Sequence, residues 1–326
     1  MNVVVSGGAG YIGSHVVRRL MEAGHKVRVY DNLSGGHAAA VPAEVLVRGD
    51  LADEPRLVEA LSGGFDCVMH FAAFIAVGES VADPEKYYRN NLVGSLGLLA
   101  AMRKAGVGRI VFSSTAAVYG NPVRVPIPED HPTAPINPYG EGKLAFEHAL
   151  GYYAAAYGLG YVALRYFNAA GAAPDAKIGE DHHPETHLVP LVLAAAMGKR
   201  ENVSVFGTDY PTPDGTCIRD YIHIYDLAQA HILAMAAIEP GRGRAYNLGN
   251  GSGYSVREVI ETARRVTGRP VPVKEGPRRA GDPPQLVASS DRIVRDLGWK
   301  PEYADLGTII EHAWRWHQAR PEGYGE

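Results

Sequence analysis

Val3, Val4 and Val5 form an apolar run that enters a glycine turn, Gly7, Gly8, Ala9, Gly10, Tyr11, Ile12 and Gly13, and a helical pattern follows from Tyr11 to Ala23. Strand, tight turn and helix in that order bring backbone close to an anion, and the helix's first N–H groups and positive dipole end favour negative charge there. Gly8, Gly10 and Gly13 fit G-x-G-x-x-G, while Gly7, Gly10 and Gly13 fit a wider-spaced variant. Alone, such a turn is equally a turn without a ligand. A second strand-like run, Lys26 to Tyr30, ends in Asp31, where a dinucleotide site places the acid that accepts from the adenosine ribose 2′-OH. The two signals together point to a bound dinucleotide. Asp31 would repel a 2′-phosphate, which favours NAD over NADP.

The first half continues the alternation: strand-like Val45–Val47, helical Glu54–Leu61, strand-like Asp66–Phe71, a long helical pattern from Glu85 to Ala105, then Ile110–Ser113. This is the rhythm of an α/β, Rossmann-type doubly wound parallel sheet. A proline-rich loop from Pro122 to Pro138 leads into a predicted helix, Tyr139–Tyr157, and a strand, Tyr161–Tyr166. After Asn168 long Gly/Pro/His/Asp loops separate shorter elements, the expected mark of a smaller, ligand-binding α/β unit beginning near residue 180.

Bulk properties narrow the function. The 326 residues are 46% hydrophobic with a net charge of -4, enough for a full core and without the basic field that draws a chain to nucleic acid or anionic membrane. Two cysteines cannot form a disulfide framework, and the longest apolar stretch, Leu188–Met197, is far too short to span a bilayer. A cytoplasmic protein without a targeting segment is expected.

Tyr139 and Lys143 stand four apart at the start of a helix, which sets both side chains on one face. By itself this pair also fits a surface tyrosine beside a lysine. Its position after a dinucleotide-type half and a strand ending in Ser113, Ser114 and Thr115 gives it chemical meaning. Oxidising a carbinol carbon requires a base for the hydroxyl proton, and tyrosine titrates near 10. Lowering that to ~7 requires ~4 kcal/mol of preference for phenolate. One cation ~4 Å away at an effective dielectric of ~20 supplies about that much, and Lys143 and oxidised nicotinamide offer two.

At this point the chain resembles the extended short-chain dehydrogenase/reductase family, and within it the UDP-glucose 4-epimerases, over nearly its whole length. The resemblance rests on GGAGYIGSH (7–15), DNLS (31–34), GDL (49–51), HFAA with VGES (70–80), YYRNN (87–91), SSTAAVYG (113–120), NPYGEGK (137–143), RYFNAAGA (165–172), GEDHHPETHLVP (179–190), GTDYPTPDGTCIRDYIHIYDLA (207–228) and RRAGDP (278–283). The segments from 179 to 228 are the most specific to the 4-epimerases. The resemblance implies transient oxidation at hexose C4 with tightly bound NAD, rotation of the 4-keto sugar, and reduction from the other face. It implies UDP-galactose and UDP-glucose as the main pair, with activity on N-acetylhexosamines besides. Tyr139 would be the acid/base, with Lys143 and Thr115 assisting.

The same resemblance implies the remaining contacts. Tyr11 and Ile12 present backbone to the pyrophosphate, Asp31, Asn32, Leu33, Ser34, Gly35 and Gly36 surround the adenosine, and Asp50 and Leu51 bracket adenine. Phe71, Ala72, Ala73, Asn90, Lys143 and Phe167 line the rest of the cofactor, and Ile75, where relatives carry lysine, contributes backbone only. Arg219 and Arg279 bind the substrate pyrophosphate and Asp282 the uridine ribose. Asn168 contacts the phosphate and sugar region, and Val205 and Phe206 read uracil. His187, before Leu188, replaces a substrate-contacting asparagine of some relatives. Leu286 stands where residue size gates N-acetyl groups. The implied organisation is NAD-binding residues 1–180 and UDP-sugar-binding residues 181–326, with segments around 222–250 returning to the first domain, in a homodimer paired through helices 85–105 and 139–157. An amphipathic helix packs equally well on its own domain.

Several alternatives remain open on sequence. Another nucleotide-sugar 4-epimerase, acting on N-acetylhexosamines or pentoses, shares these motifs. A 4,6-dehydratase shares the Tyr/Lys pair, but Thr115, Ala116 and Ala117 replace its Thr-Asp-Glu, and alanine moves no protons. A simple alcohol dehydrogenase and a non-catalytic NAD sensor are further readings. Asp181, His182, His183, Glu185 and His187 match no standard ligand spacing, so no metal is expected. His70 reads as a satisfied core histidine.

Overall fold

The computed structural model describes residues 1–279 and 282–325; of the RRAGDP motif, Ala280 and Gly281 lie outside the described residues. Seven strands form one parallel sheet: β1 (Asn2–Ser6), β2 (Lys26–Asp31), β3 (Leu46–Arg48), β4 (Cys67–His70), β5 (Arg109–Thr115), β6 (Gly160–Tyr166) and β7 (Gly243–Leu248). Their spatial order is β7-β6-β5-β4-β1-β2-β3, so the order reverses beside β1. Ligands of such sheets bind at the strand C-termini near that reversal.

Both faces of the sheet are buried, as parallel strands require. On one side Val3, Val5 and Val29 pack with Val16 and Leu20 of the helix Tyr11–Glu22 and with Leu227 and Ala234 of the helix Ile224–Ala236. On the other side Val4, Val68, Ile110 and Phe112 meet Leu98 and Met102 of the helix Gly94–Ala105 and Phe146 and Leu150 of the helix Pro138–Tyr157. Thus residues 224–248, late in the chain, complete the sheet.

The long helical pattern from Glu85 is not one helix. A turn Pro84–Tyr87 passes into a π-helical stretch, Tyr88–Val93, before the helix Gly94–Ala105. Such widened turns are frequent at functional sites, and this one carries Asn90. The later residues build a second core from Val189, Val192, Leu193, Val203, Val259, Ile260, Ile309 and Ile310.

Buried imidazoles give this fold an acid limit. Burial lowers His15 and His231 to about 4, and His70 and His223 to about 3. The unfolded chain takes up these protons near pH 6.5, so below that pH it binds more protons than the native state. Each such group costs about 1.4 kcal/mol per pH unit down to its native value. Asp226, raised by burial to about 6, acts in the opposite direction and offsets about one of the four. The melting temperature is therefore expected to fall from pH 6.5 to pH 4, and a flat profile there contradicts the assignment.

Candidate active site

The glycine turn is closed by contacts that admit no side chain. Gly7 has φ +73°, and a Cβ there would lie 2.4 Å from Ala72 N; a Cβ on Gly13 would lie 2.2 Å from Gly7 O. Gly10 caps the following helix without a side-chain hydrogen bond, and no acidic residue stands in its first turn. The helix terminus therefore keeps its capacity for an external anion. Asp31, at the end of β2, is buried and accepts from Ala9 N (2.9 Å) and Leu33 N (2.8 Å), joining the strand end to the turn. Asn32 donates to Asp50 at 2.7 Å and accepts from Ser34 N, while Gly36 approaches Ala9 so closely that a Cβ would sit 2.7 Å from its carbonyl carbon. Gly35 lies in open space. These residues form one rim, and an uncapped helix end beside a buried ribose-type carboxylate fits a dinucleotide.

Past β4, Phe71 and Ala72 donate to Ser6 O, and the Phe71 ring lies 4.8 Å from that of His231. Ala73 follows, partly exposed, and the Ile75 side chain is 41% exposed. Asn90 donates to Asn91 Oδ1 at 2.8 Å, and Asn91 clamps Phe74 by accepting from its N–H and donating to its carbonyl. Leu51 packs where Gly94 and Gly97 leave room for it. His70 is satisfied on both nitrogens, by Ser6 (2.8 Å) and Ser95 (2.7 Å), as a core histidine would be.

Tyr139 and Lys143 begin the helix Pro138–Tyr157, which starts where Asn137 Oδ1 accepts from Gly140 N at 2.9 Å and Pro138 supplies a preset φ. Gly140 is needed because a Cβ would lie 2.6 Å from Ala117 O. Lys143 is buried and Tyr139 half-buried beside the end of β5. The structure adds a partner for the amine that the Tyr/Lys spacing does not show. Lys143 Nζ donates to Ser113 O at 2.9 Å and sits 5.8 Å from the Tyr139 ring centroid. A backbone carbonyl at the strand end has captured the amine. Burial lowers Lys143 to about 7 against the opposing pull of Glu147, and burial raises Tyr139 while the Thr115 hydrogen bond lowers it. The protein frame by itself thus keeps the phenol protonated.

Sequence reasoning passed over several supporting groups. Ser113 hydrogen-bonds Tyr166, Ser80 Oγ accepts from Tyr139 N at 3.3 Å, and Glu147 pairs with Arg165 beneath the helix. Ser113 stands in a quoted motif, but nothing local marks its carbonyl as an acceptor for Lys143.

The later loops bring Arg219, Asp282 and Leu286 together. The strand Ile218–Arg219 pairs with Gln285–Leu286, and Arg219, 14% exposed, donates to Pro283 O at 3.0 Å and lies 3.4 Å from Asp282. Leu286 and Phe167 pack against the cluster of Val118, Tyr119, Ile127 and Leu144, the last of which follows Lys143 on the Tyr139 helix. Asn168 donates its N–H to Asp220 O. Val205 is buried and Phe206 is 41% exposed, with the Arg279 guanidinium 4.6 Å from its ring centroid.

His187 faces Glu180 Oε1 (2.8 Å) and Glu185 Oε1 (3.0 Å) through Nδ1, immediately before Leu188 opens the next helix. Burial disfavours charge on His182 and His187, yet the two carboxylates prevail and raise them to about 9 and about 10. Glu180 was not among the acids singled out from sequence.

A parallel sheet with a glycine turn at its order reversal, and a Tyr/Lys pair beside the end of β5, defines a nicotinamide-dependent enzyme of the short-chain dehydrogenase/reductase class. The sequence profile of the NAD dependent epimerase/dehydratase family matches residues 3–249. The UDP-glucose 4-epimerase of Halalkalibacterium halodurans is 54% identical over 99% of this chain and 98% of its own. The crystal structure of UDP-glucose 4-epimerase from Brucella ovis in complex with NAD is similar at a TM-score of 0.92 and 52% identity, covering 96% of this chain and 97% of that one. The Bifidobacterium longum UDP-glucose 4-epimerase in complex with NAD+ and UDP is similar at a TM-score of 0.94 and 39% identity, covering 99% and 100%. The chain belongs to the UDP-glucose 4-epimerase family.

Proposed function

We infer that this enzyme interconverts UDP-galactose and UDP-glucose at hexose C4 with NAD that stays bound. The observation that carries this reading is the meeting of two groups: Tyr139, Thr115 and Lys143 at the end of β5, and Leu286, Arg219 and Asp282 bordering the same helix. The Gly7–Gly13 turn and the Tyr11 and Ile12 backbone hold the pyrophosphate of NAD, Asp31 its ribose and Asp50 its adenine, with Phe71, Ala72, Asn90 and Phe167 along the remainder. Bound NAD supplies the reversible acceptor for the C4 hydrogen.

Tyr139 Oη takes the proton of the C4 hydroxyl, directly or through Thr115 Oγ1. Since burial holds the phenol above its ordinary value, deprotonation depends on positive charge that arrives with the cofactor and on Lys143 in its ammonium form. When that added charge is spent, the proton affinity of Tyr139 rises again, so the same oxygen returns the proton after the keto sugar has turned. Lys143, held near neutrality, is tuned to follow these changes. Arg219 and Arg279 bind the diphosphate, Asp282 the uridine ribose, and Val205 and Phe206 the uracil. The His187 ring, with Nδ1 facing two carboxylates, has only Nε2 left for a sugar nucleotide.

We propose further that cofactor binding is the work of residues 1–180 together with the segment around 222–250, and that the rest binds the UDP-sugar. Exposed Tyr88, Val93, Leu96 and Tyr152 on the two long helical segments support pairing with a second copy. Among the described residues no helix is long and apolar enough to cross a membrane, and we assign the enzyme to the cytoplasm.

Purified protein given UDP-galactose without added NAD is expected to form UDP-glucose. Turnover that depends strictly on freely exchanging added NAD would overturn the bound-cofactor reading. Leu286 is intermediate in size, so the plain pair is expected to turn over faster than the N-acetylated pair at saturation. Sole activity on the N-acetylated sugars contradicts the assignment.

A further inference from the structure

The loop between Gly179 and Leu188 is held from outside chiefly through its backbone and Asp181. Trp316 Nε1 donates to Glu180 O at 3.1 Å, His37 Nε2 to Asp181 O at 2.9 Å, and Tyr324 N to the Asp181 carboxylate at 2.9 Å. Glu180, His182, Glu185 and His187 instead turn toward one another, with one donor atom from each lying within 4.8 Å of the others. His182 Nδ1 is 3.2 Å from Glu180 Oε1 and 3.6 Å from Glu185 Oε2, and His187 Nδ1 is 2.8 Å from Glu180 Oε1 and 3.0 Å from Glu185 Oε1. Each imidazole thus faces both carboxylates. Donors at about 2.0–2.1 Å from a tetrahedral zinc stand about 3.3–3.4 Å apart, within this spread.

Hydrogen bonding accounts for only part of the arrangement. His187 Nδ1 and Glu185 Oε1 make a well-directed bond. Glu180 Oε1 and His182 Nδ1 are buried with no hydrogen-bond partner of adequate direction, despite their short distances. The Glu180 side chain is only 4% exposed, and it keeps its charge through the two imidazoles beside it rather than through a directed hydrogen bond. Four donor atoms within 4.8 Å of one another, two of them without a directed hydrogen bond, form a set a metal can take. Charge is consistent with it: two carboxylates with two imidazoliums sum to zero, as do two carboxylates, two neutral imidazoles and one divalent cation. Two nitrogen donors favour zinc over calcium or magnesium, which take oxygen.

We propose that Glu180, His182, Glu185 and His187 bind one zinc ion. The ion releases two protons on entering and braces the loop against the glycine turn, where the Tyr11 ring stands edge-on to His182 at 6.0 Å and its hydroxyl donates to Gly171 O at 2.7 Å. The donors come from alternating stretches of one extended loop, which is why their spacing matches no helical or finger motif.

The test uses the whole protein with its bound NAD, equilibrated with zinc chloride and dialysed against metal-free buffer. Elemental analysis is expected to find close to one zinc per chain, and cobalt(II) in its place is expected to give the intense visible absorption of a tetrahedral site. His182→Ala and the isosteric Glu185→Gln are each expected to weaken zinc binding more than about 100-fold, since loss of an outer-shell partner alone costs about 10–100-fold. NAD content and circular dichroism of each variant report whether it is folded. Less than about one tenth of an equivalent of zinc on the parent protein at micromolar free zinc, a weak octahedral cobalt spectrum, or undiminished zinc in both variants overturns the proposal.

Discussion

Tyr139→Phe is expected to lower kcat for UDP-galactose epimerisation by about 10²–10⁴-fold while the protein still binds NAD, the range that a positioned general acid/base contributes. The substitution removes only an oxygen. The ring keeps its place, so stability and cofactor content change little. Thr115 alone cannot replace the phenol, because a hydroxyl with an alcohol's acidity holds no negative charge at neutral pH. The pH profile of the parent enzyme carries a second part of the expectation. Lys143 is lowered by burial to about 7, so activity that requires its ammonium form should decline as the pH rises through that region in the absence of compensating negative charge. Unchanged turnover in Tyr139→Phe would remove the residue from the chemistry, and steady-state rates with NAD quantified in the same sample decide it.

The largest expected loss of stability lies beneath that helix. Glu147 and Arg165, with side chains 7% and 10% exposed, form a buried ion pair at 2.5 Å, and Arg165 Nη1 also donates to the Tyr119 hydroxyl at 2.9 Å, which in turn donates to Asn247. Glu147→Ala strands a guanidinium in this enclosed place and is expected to cost about 3–5 kcal/mol, as removal of one partner of a buried pair does. Replacing both residues, as Glu147→Leu with Arg165→Met, is expected to recover much of that loss. Denaturant midpoints of the single and double variants measure the difference. A double variant no more stable than the single one means that shape, rather than the unpaired charge, dominates. Glu147 also supports the charge on Lys143, so Glu147→Gln is expected to push the lysine lower and move the pH profile to the acid side.

The fold was widely legible because its periodicities are local. The alternation of short apolar runs with helical patterns anticipates β1 to β6, and the glycine turn anticipates the helix at Tyr11. The exception, the stretch after Glu85, is instructive: hydrophobic spacing near 3.6 does not reveal that Tyr88–Val93 widens to a π turn, where Asn91 clamps the backbone of Phe74 in a distant loop. In the site, Tyr139 and Lys143 share a helix face as their spacing requires, yet the spacing is silent about the Ser113 carbonyl that accepts from the amine. The acid–histidine loop is the sharpest case. His182, Glu185 and His187 stand out in the sequence, but their spacing matches no standard site and Glu180 carries no mark of its own; the loop is held by Trp316, Tyr324 and His37, with these side chains turned toward one another.

From sequence alone came what neighbouring residues impose on one another: strands where apolar residues run together, a backbone bend where glycine permits it, a helix carrying Tyr139 and Lys143 on one side, and an acid at Asp31 after the second strand. Tertiary structure alone decided which distant groups became partners. Residues 243–248 complete a sheet begun at residue 2, Arg165 finds Glu147, and Leu286 reaches the helix that carries Lys143. Local conformation is governed by torsions and hydrogen bonds within a few residues, whereas these pairings come from burying surface across long stretches of chain, and their energies belong to the packed molecule.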